Sequence, residues 1–146
     1  KKTYLALVRG KLKSRSGIID TPIGRHKINR KKMAVSANQT RTAETRFEVL
    51  ETLRHFTYIR IFPKTGRTHQ IRVHLASIHH PVLGDKLYGG IITGSYLKIA
   101  RQALHAHKIE INHPIHKQPL VFEAPVPPDI NNYLMAYRQK SKPTRL

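Results

Sequence analysis

The chain has 146 residues, and its 27 Lys and Arg against 8 Asp and Glu leave a formal charge of +19. An excess of that size repels itself and attracts polyanions, so nucleic acid leads the partner classes, ahead of an anionic membrane surface. The absence of cysteine excludes a disulfide framework, thiolate-ligated zinc and a thiol nucleophile, and no apolar run approaches the ~18–20 residues of a membrane-spanning helix.

Tyr4-Leu5-Ala6-Leu7-Val8 has strand character and closes at Arg9-Gly10. Residues 11–16 form a polar connection, and 17–23 are extended or turn-like around Pro22. Arg25, His26, Lys27, Arg30, Lys31 and Lys32 then make a basic loop over about 24–33. Such a block stays solvated and mobile until an anionic partner arrives. Met33-Ala34-Val35 has strand character, and Asn38-Gln39-Thr40 is turn-like. Residues 43–53 alternate at period two as a half-buried strand, with a helix as rival for the Glu-rich middle; residues 57–62 are the hairpin partner. After the breaker Pro63-Lys64-Thr65-Gly66, a helix is expected over 68–78 with Thr68 as its N-cap. Three- and four-residue steps place Ile71, Leu75 and Ile78 on one face of it, and His69, Arg72, Ala76 and His79 on another.

Beyond the helix, 81–85 is a turn, 89–94 a glycine-marked loop, and 99–104 closes a short helix. Residues 105–111 and 120–124 alternate as strands, each ended by a proline-containing stop. A terminal helix follows over 129–138 with Asp129 as N-cap, and 140–146 frays. These elements predict an α+β fold: a mostly antiparallel mixed sheet with a few helices packed on it, residues 1–146 forming a single domain.

A guanidinium on a helix beside imidazoles can hold a carboxylate, a phosphate or a base edge; a solvated basic face is the plain alternative for Arg72 and His69. Ten histidines occur without His-Glu-x-x-His, cysteine or clustered carboxylates, so no metal site is expected. No nucleophile elbow and no phosphate-binding glycine loop is present.

The string Gly66-Arg67-Thr68-His69-Gln70-Ile71-Arg72-Val73-His74-Leu75, with Ile78-His79-His80-Pro81-Val82-Leu83-Gly84-Asp85-Lys86-Leu87-Tyr88-Gly89 after it, resembles the RluA-type RNA pseudouridine synthases. The likeness continues in Lys2-Thr3-Tyr4-Leu5-Ala6, Ile19-Asp20-Thr21-Pro22-Ile23-Gly24-Arg25, Ala103-Leu104-His105-Ala106 and Phe122-Glu123-Ala124-Pro125. It departs at Thr40-Arg41, where the family has Gly-Lys. The resemblance implies isomerisation of specific uridines in ribosomal or transfer RNA to pseudouridine, with no metal and no cofactor. Tyr4 would stack on the target base, Arg72 would pair with the nucleophilic aspartate, and Leu104 would wall the uracil pocket. Arg25, His26, Arg30, Lys31, Lys32, Lys64, Arg67 and His69 would hold RNA.

In that family the aspartate lies in a His-Arg-Leu-Asp motif ahead of the Lys-x-Tyr strand, and this sequence starts after that point. It is therefore expected to be the C-terminal portion of a synthase catalytic domain, inactive without the upstream part of its own chain. Asp85 matches a family position, but a turn-capping role outweighs catalysis there. The expected partner is RNA, with no membrane and no DNA, and the expected location the cytoplasm. A non-catalytic basic RNA-binding module is the alternative. If the opening strand pairs with segments outside this chain, it would leave a sticky sheet edge.

Overall fold

The structure is a computed structural model and describes residues 1–36, 41–90 and 99–140. Among the described residues, eight strands and two helices follow in the order β1 (Lys2–Arg9), β2 (Ser16–Asp20), β3 (Ile23–Arg25), β4 (Met33–Val35), β5 (Glu44–Thr52), β6 (Phe56–Pro63), α1 (Gln70–Ser77), β7 (Leu104–Asn112), β8 (Pro119–Glu123) and α2 (Pro128–Lys140). Six strands make one antiparallel sheet in the order β2-β5-β6-β1-β7-β8, and β3 pairs with β4 as a separate ribbon. The α+β expectation holds. Neither helix is long and apolar enough to cross a membrane.

β1 sits in the middle, with β6 on one side and β7 on the other. Leu5, Ala6, Leu7 and Val8 are all buried, which is why this stretch is continuously apolar rather than alternating. Its central place overturns the expectation of an exposed opening edge: both neighbours come from this chain, and the sheet edges are β2 and β8.

The period-two pattern sorts the two faces. Thr45, Phe47, Ile59, Ile61 and Ala6 lie on one, linked by the pairs Phe47–Ile61 and Ala6–Ile59, and α1 packs there through Ile71 and Leu75. Leu7, Tyr58 and Phe56 lie on the other under α2, where the Phe56 ring meets Tyr133 at 5.3 Å and Tyr137 at 5.1 Å.

Three local expectations give way to tertiary contacts. Thr68 does not cap α1; the N-cap is His69, left-handed at φ 55° with no side-chain cap bond. Gln70 instead orders the loop before the helix: its Oε1 accepts the Arg67 N–H at 3.0 Å and the Thr65 hydroxyl at 2.7 Å. Residues 99–103 form no helix. The Ala103 backbone donates to Leu83 O at 2.7 Å and accepts from Leu7 N at 3.0 Å, so its polar groups stitch the 82–85 turn to β1. Asp129 lies inside the first turn of α2, where its carboxylate receives the Ile130 N–H at 2.9 Å and pairs with Arg101 at 2.8 Å. The turn at 38–40, the loop at 91–94 and the tail at 141–146 lie outside the described residues.

Candidate active site

The loop–helix junction at α1 is wired to the sheet by a buried polar chain. Gln70 Nε2 donates to Thr45 Oγ1 at 3.0 Å and to Glu44 O at 2.9 Å. His74 Nε2 lies 2.9 Å from Thr21 O, which can only accept, so Nε2 carries the proton and Nδ1 accepts the Thr45 hydroxyl at 2.8 Å. Burial holds the His74 pKa below 6.5, and the neutral ring satisfies every partner. Gln70 and His74, one turn apart, therefore fix where α1 starts and how it is rotated.

That rotation sets Arg72. Its Nε donates to Asp85 Oδ2 at 2.6 Å and its Nη2 to Asp85 Oδ1 at 2.9 Å, a two-pronged pair. Nη1 makes no hydrogen bond among the described residues. The Asp85 side chain is 0% exposed and that of Arg72 is 15% exposed. Asp85 Oδ1 also receives the backbone N–H groups of Leu87 at 3.0 Å and Tyr88 at 3.1 Å. Burial works to raise the Asp85 pKa. The Arg72 hydrogen bonds, its charge and the two amides outweigh burial, and the pKa ends below 3.8. Asp85 in turn raises the Arg72 pKa. The Arg72 guanidinium lies 5.1 Å over the Tyr88 ring, and the Tyr88 hydroxyl is 2.9 Å from His69 Nδ1. Desolvation first, and Arg72 second, lower the His69 pKa.

Tyr4 pairs with Ile61 on β6 and Ala106 on β7, on the sheet face that carries α1, beside a bulge between Thr3 and Tyr4. It lines a cavity of about 310 Å3 with Ala106, Ile109 and Phe122. Leu104 pairs with Ala6 two residues along the same face, packed on the core and outside that cavity lining. Tyr4, Leu104 and Arg72 thus share one side of the sheet. The described contacts of Arg72 run to Asp85 and Tyr88, not to Tyr4 or Leu104.

The basic residues separate into two groups. Arg25, Arg30, Lys31 and Arg67 line a groove of about 480 Å3 floored by Ile23 and Met33. Arg41, absent from the residues expected from sequence, joins them, as does Thr68. His26, Lys32, Lys64 and His69 lie outside the groove lining. His26 Nδ1 caps its own turn, accepting from Ile28 N at 3.3 Å and Asn29 N at 3.1 Å. His26 N bonds Lys32 O at 3.1 Å, so the basic loop is the tip of the β3–β4 hairpin. Lys64 sits on Glu44 at 3.1 Å. No group of three or more potential metal ligands gathers among the described residues.

Sequence spacing found Arg72 and His69 but missed Tyr88 and the partnership with Asp85. The signal was the Leu83-Gly84-Asp85-Lys86-Leu87-Tyr88-Gly89 string. Its turn-capping reading was right and incomplete, since one carboxylate both caps the turn and clamps the guanidinium.

The chain is similar to known proteins in sequence and in fold. Ribosomal large subunit pseudouridine synthase D of Nitrosomonas europaea is 46% identical over 143 residues, covering 94% of this chain and 41% of that protein. An uncharacterized RNA pseudouridine synthase of Bacillus subtilis, YhcT, is 45% identical over 139 residues, 94% of this chain and 44% of its own. The chain therefore spans less than half the length of these curated relatives. Human RNA Pseudouridylate Synthase Domain Containing 1 superposes with a TM-score of 0.73 at 28% identity, covering 99% of this chain and 67% of that one. Human RNA Pseudouridylate Synthase Domain Containing 4, at 22% identity and a TM-score of 0.70 over 94% of this chain and 62% of its own, shares the fold. A family model described as RNA pseudouridylate synthase matches residues 1–77, from β1 through the whole of α1. With the matched stretch holding both Tyr4 and Arg72, the chain belongs to the RNA pseudouridylate synthase family.

Proposed function

We propose that this chain is the C-terminal part of the catalytic domain of a cytoplasmic enzyme that isomerises uridines in ribosomal RNA to pseudouridine, without metal or cofactor. The reaction breaks the N-glycosidic bond, turns the base and rejoins it through carbon. A carboxylate nucleophile suits this chemistry. Asp85, the carboxylate on Arg72, is unfit for that role. It takes four hydrogen bonds, from Arg72 Nε and Nη2 and from Leu87 and Tyr88 N–H, and is fully buried.

The observation that carries the reading is Arg72 itself. Asp85 fixes the guanidinium in advance on the face that bears Tyr4, leaving Nη1 to pair with an incoming carboxylate. An opposite charge within ~4–6 Å lowers a carboxyl pKa by about 1–3 units, which keeps a nucleophile ionised. Tyr4 and its apolar cavity suit a base taken out of its stack, and Leu104 extends the apolar wall. Arg25, Arg30, Lys31, Arg41 and Arg67 hold phosphates. Lys32 and Lys64 contribute charge around the groove, beside His26 and His69.

The test is tritium release from RNA carrying uridine labelled at carbon 5, using the full-length protein and its Arg72→Ala variant. Release by the parent and none by the variant, with RNA binding retained, is expected. Equal release from both would remove Arg72 from the chemistry. No release from the parent would leave the groove as an RNA-binding module. This chain alone is expected to bind RNA and to release nothing.

A further inference from the structure

Tyr88 stands where the basic ribbon meets the helix. Its hydroxyl oxygen accepts the Met33 backbone N–H at 2.8 Å and lies 2.9 Å from His69 Nδ1. The hydroxyl is thus held from the ribbon by the Met33 N–H and from α1 by the imidazole. The Tyr88 ring lies 5.1 Å beneath the Arg72 guanidinium and edge-on to His69, at 5.7 Å and 84°. Its own backbone N–H ends on Asp85 Oδ1. On the ribbon side, Met33 is the cross-strand partner of Arg25, and both line the basic groove. One phenol therefore ties the wall of the groove to the guanidinium.

The charge arrangement gives that tie something to transmit. Arg25, Arg30 and Lys31 of the ribbon share the groove lining with Arg41, whose carbonyl accepts the Ile23 N–H at 3.0 Å, and with Arg67. Without an anion between them, these like charges repel one another. A phosphate between them reverses the sign of the interaction. Movement of β4 carries the Met33 N–H with it, and Tyr88 must follow or lose the bond. The ring cannot follow without changing its seat under Arg72.

We propose that Tyr88 is a positioning residue through which an RNA phosphate seated in the β3–β4 groove sets Arg72, so that the ribbon governs turnover and not only affinity. The proposal rests on the synthase reading for its activity assay, and a second measurement frees it from that reading.

Tyr88→Phe removes the hydroxyl and keeps the ring. In the full-length protein this variant should lower kcat by about ten- to a hundredfold, the scale on which ~1 Å of misplacement acts. KM for RNA should stay within about twofold, because the interaction lost is made in the transition state and not in the ground state. In the wild type, Arg25→Ala with Arg30→Ala should lower kcat as well as raise KM. In the Tyr88→Phe background the same pair should raise KM alone, the signature of residues that act through one another. Additive kcat losses, or an unchanged kcat in Tyr88→Phe, would overturn the coupling. The second measurement is the Arg72 Nε–H resonance during titration with short single-stranded RNA. It should shift in the wild type and stay put in Tyr88→Phe, whereas equal shifts in both would overturn the tether. A wild type that shows the shift and isomerises no uridine would sink the synthase reading and leave the tether standing.

Discussion

Asp85 is kept ionised inside the protein by four donors, and its substitutions follow from that. Asp85→Asn preserves shape but turns an acceptor into a donor facing Arg72. Breaking a buried pair from one side costs about 3–5 kcal/mol, and the partial exposure of Arg72 puts the expected loss near the lower end, read as a drop in urea midpoint. Gln70→Leu leaves the Arg67 N–H without its acceptor and takes one bond each from the Thr65 and Thr45 hydroxyls and Glu44 O, which keep Glu44 N–H, His74 and Lys64 N–H as partners. Each buried group left unpaired costs about 1–3 kcal/mol, measurable by the same denaturation. His74 gives a pH dependence whose sign is fixed by its neutral, buried ring. Its folded pKa lies below 6.5, so the unfolded chain binds the proton more readily, and stability falls as pH drops below about 6.5. His69 acts in the same direction. Thermal melts between pH 8 and about 5 should therefore fall less steeply in His74→Gln than in the wild type. A parallel fall would show that His74 contributes nothing to the slope. Helical spacing put His69 beside Arg72, but Asp85, thirteen residues on, is not a neighbour that periodicity can reach.

The 82–90 turn is the element that delivers Asp85 and Tyr88. It is pinned to β1 through Leu83 N to Leu7 O at 2.8 Å and closed by Gly84 N to Gly90 O and Gly90 N to Asp85 O, each 2.8 Å. A Cβ at Gly90 would lie 1.7 Å from Val82 O, which is backbone and cannot step aside. Gly90→Ala should therefore open the turn, release Asp85 from Arg72, and lower the melting temperature by more than a surface Gly→Ala change would. An unshifted melt would show that the turn tolerates another path. α1 has eight residues, too few to hold itself together in water. Packing of Ile71 and Leu75, and the Gln70–Thr45–His74 chain, make it a helix. β5, β6, β7 and β8 were legible as strands because period-two alternation is local, and β1 as a short apolar run, whereas β2 and β3 lay in stretches read only as extended or turn-like and as the basic loop. The helix expected over 99–104 failed because the Ala103 backbone is occupied by Leu83 and Leu7, residues the local pattern does not contain.

Across the whole molecule the charge of +19 is spread widely, yet only part of it converges. Arg25, Arg30 and Lys31 come from the ribbon, Arg41 from the stretch before β5, and Arg67 from the loop before α1. Affinity for single-stranded RNA should fall with salt with a slope of about −0.7 per phosphate neutralised. Replacing Arg30 and Lys31 by Ala should flatten that slope by ~1.4, and replacing Lys64, already paired with Glu44, should change it little. Filter binding across a salt series reads both. A full effect from Lys64 and none from Arg30 and Lys31 would move the RNA off the groove.

The sequence alone determined the fold class, the excess of positive charge and the helix that carries Arg72. Alternation, charge and contiguous motifs are local properties that a linear reading contains. Only the tertiary structure decided that β1 is central, that Asp85 clamps Arg72, that Tyr88 joins the ribbon to the helix, and which five cations share a groove. Each of these depends on closing a loop of the chain, and its partners meet only once the sheet has fixed the register between distant segments.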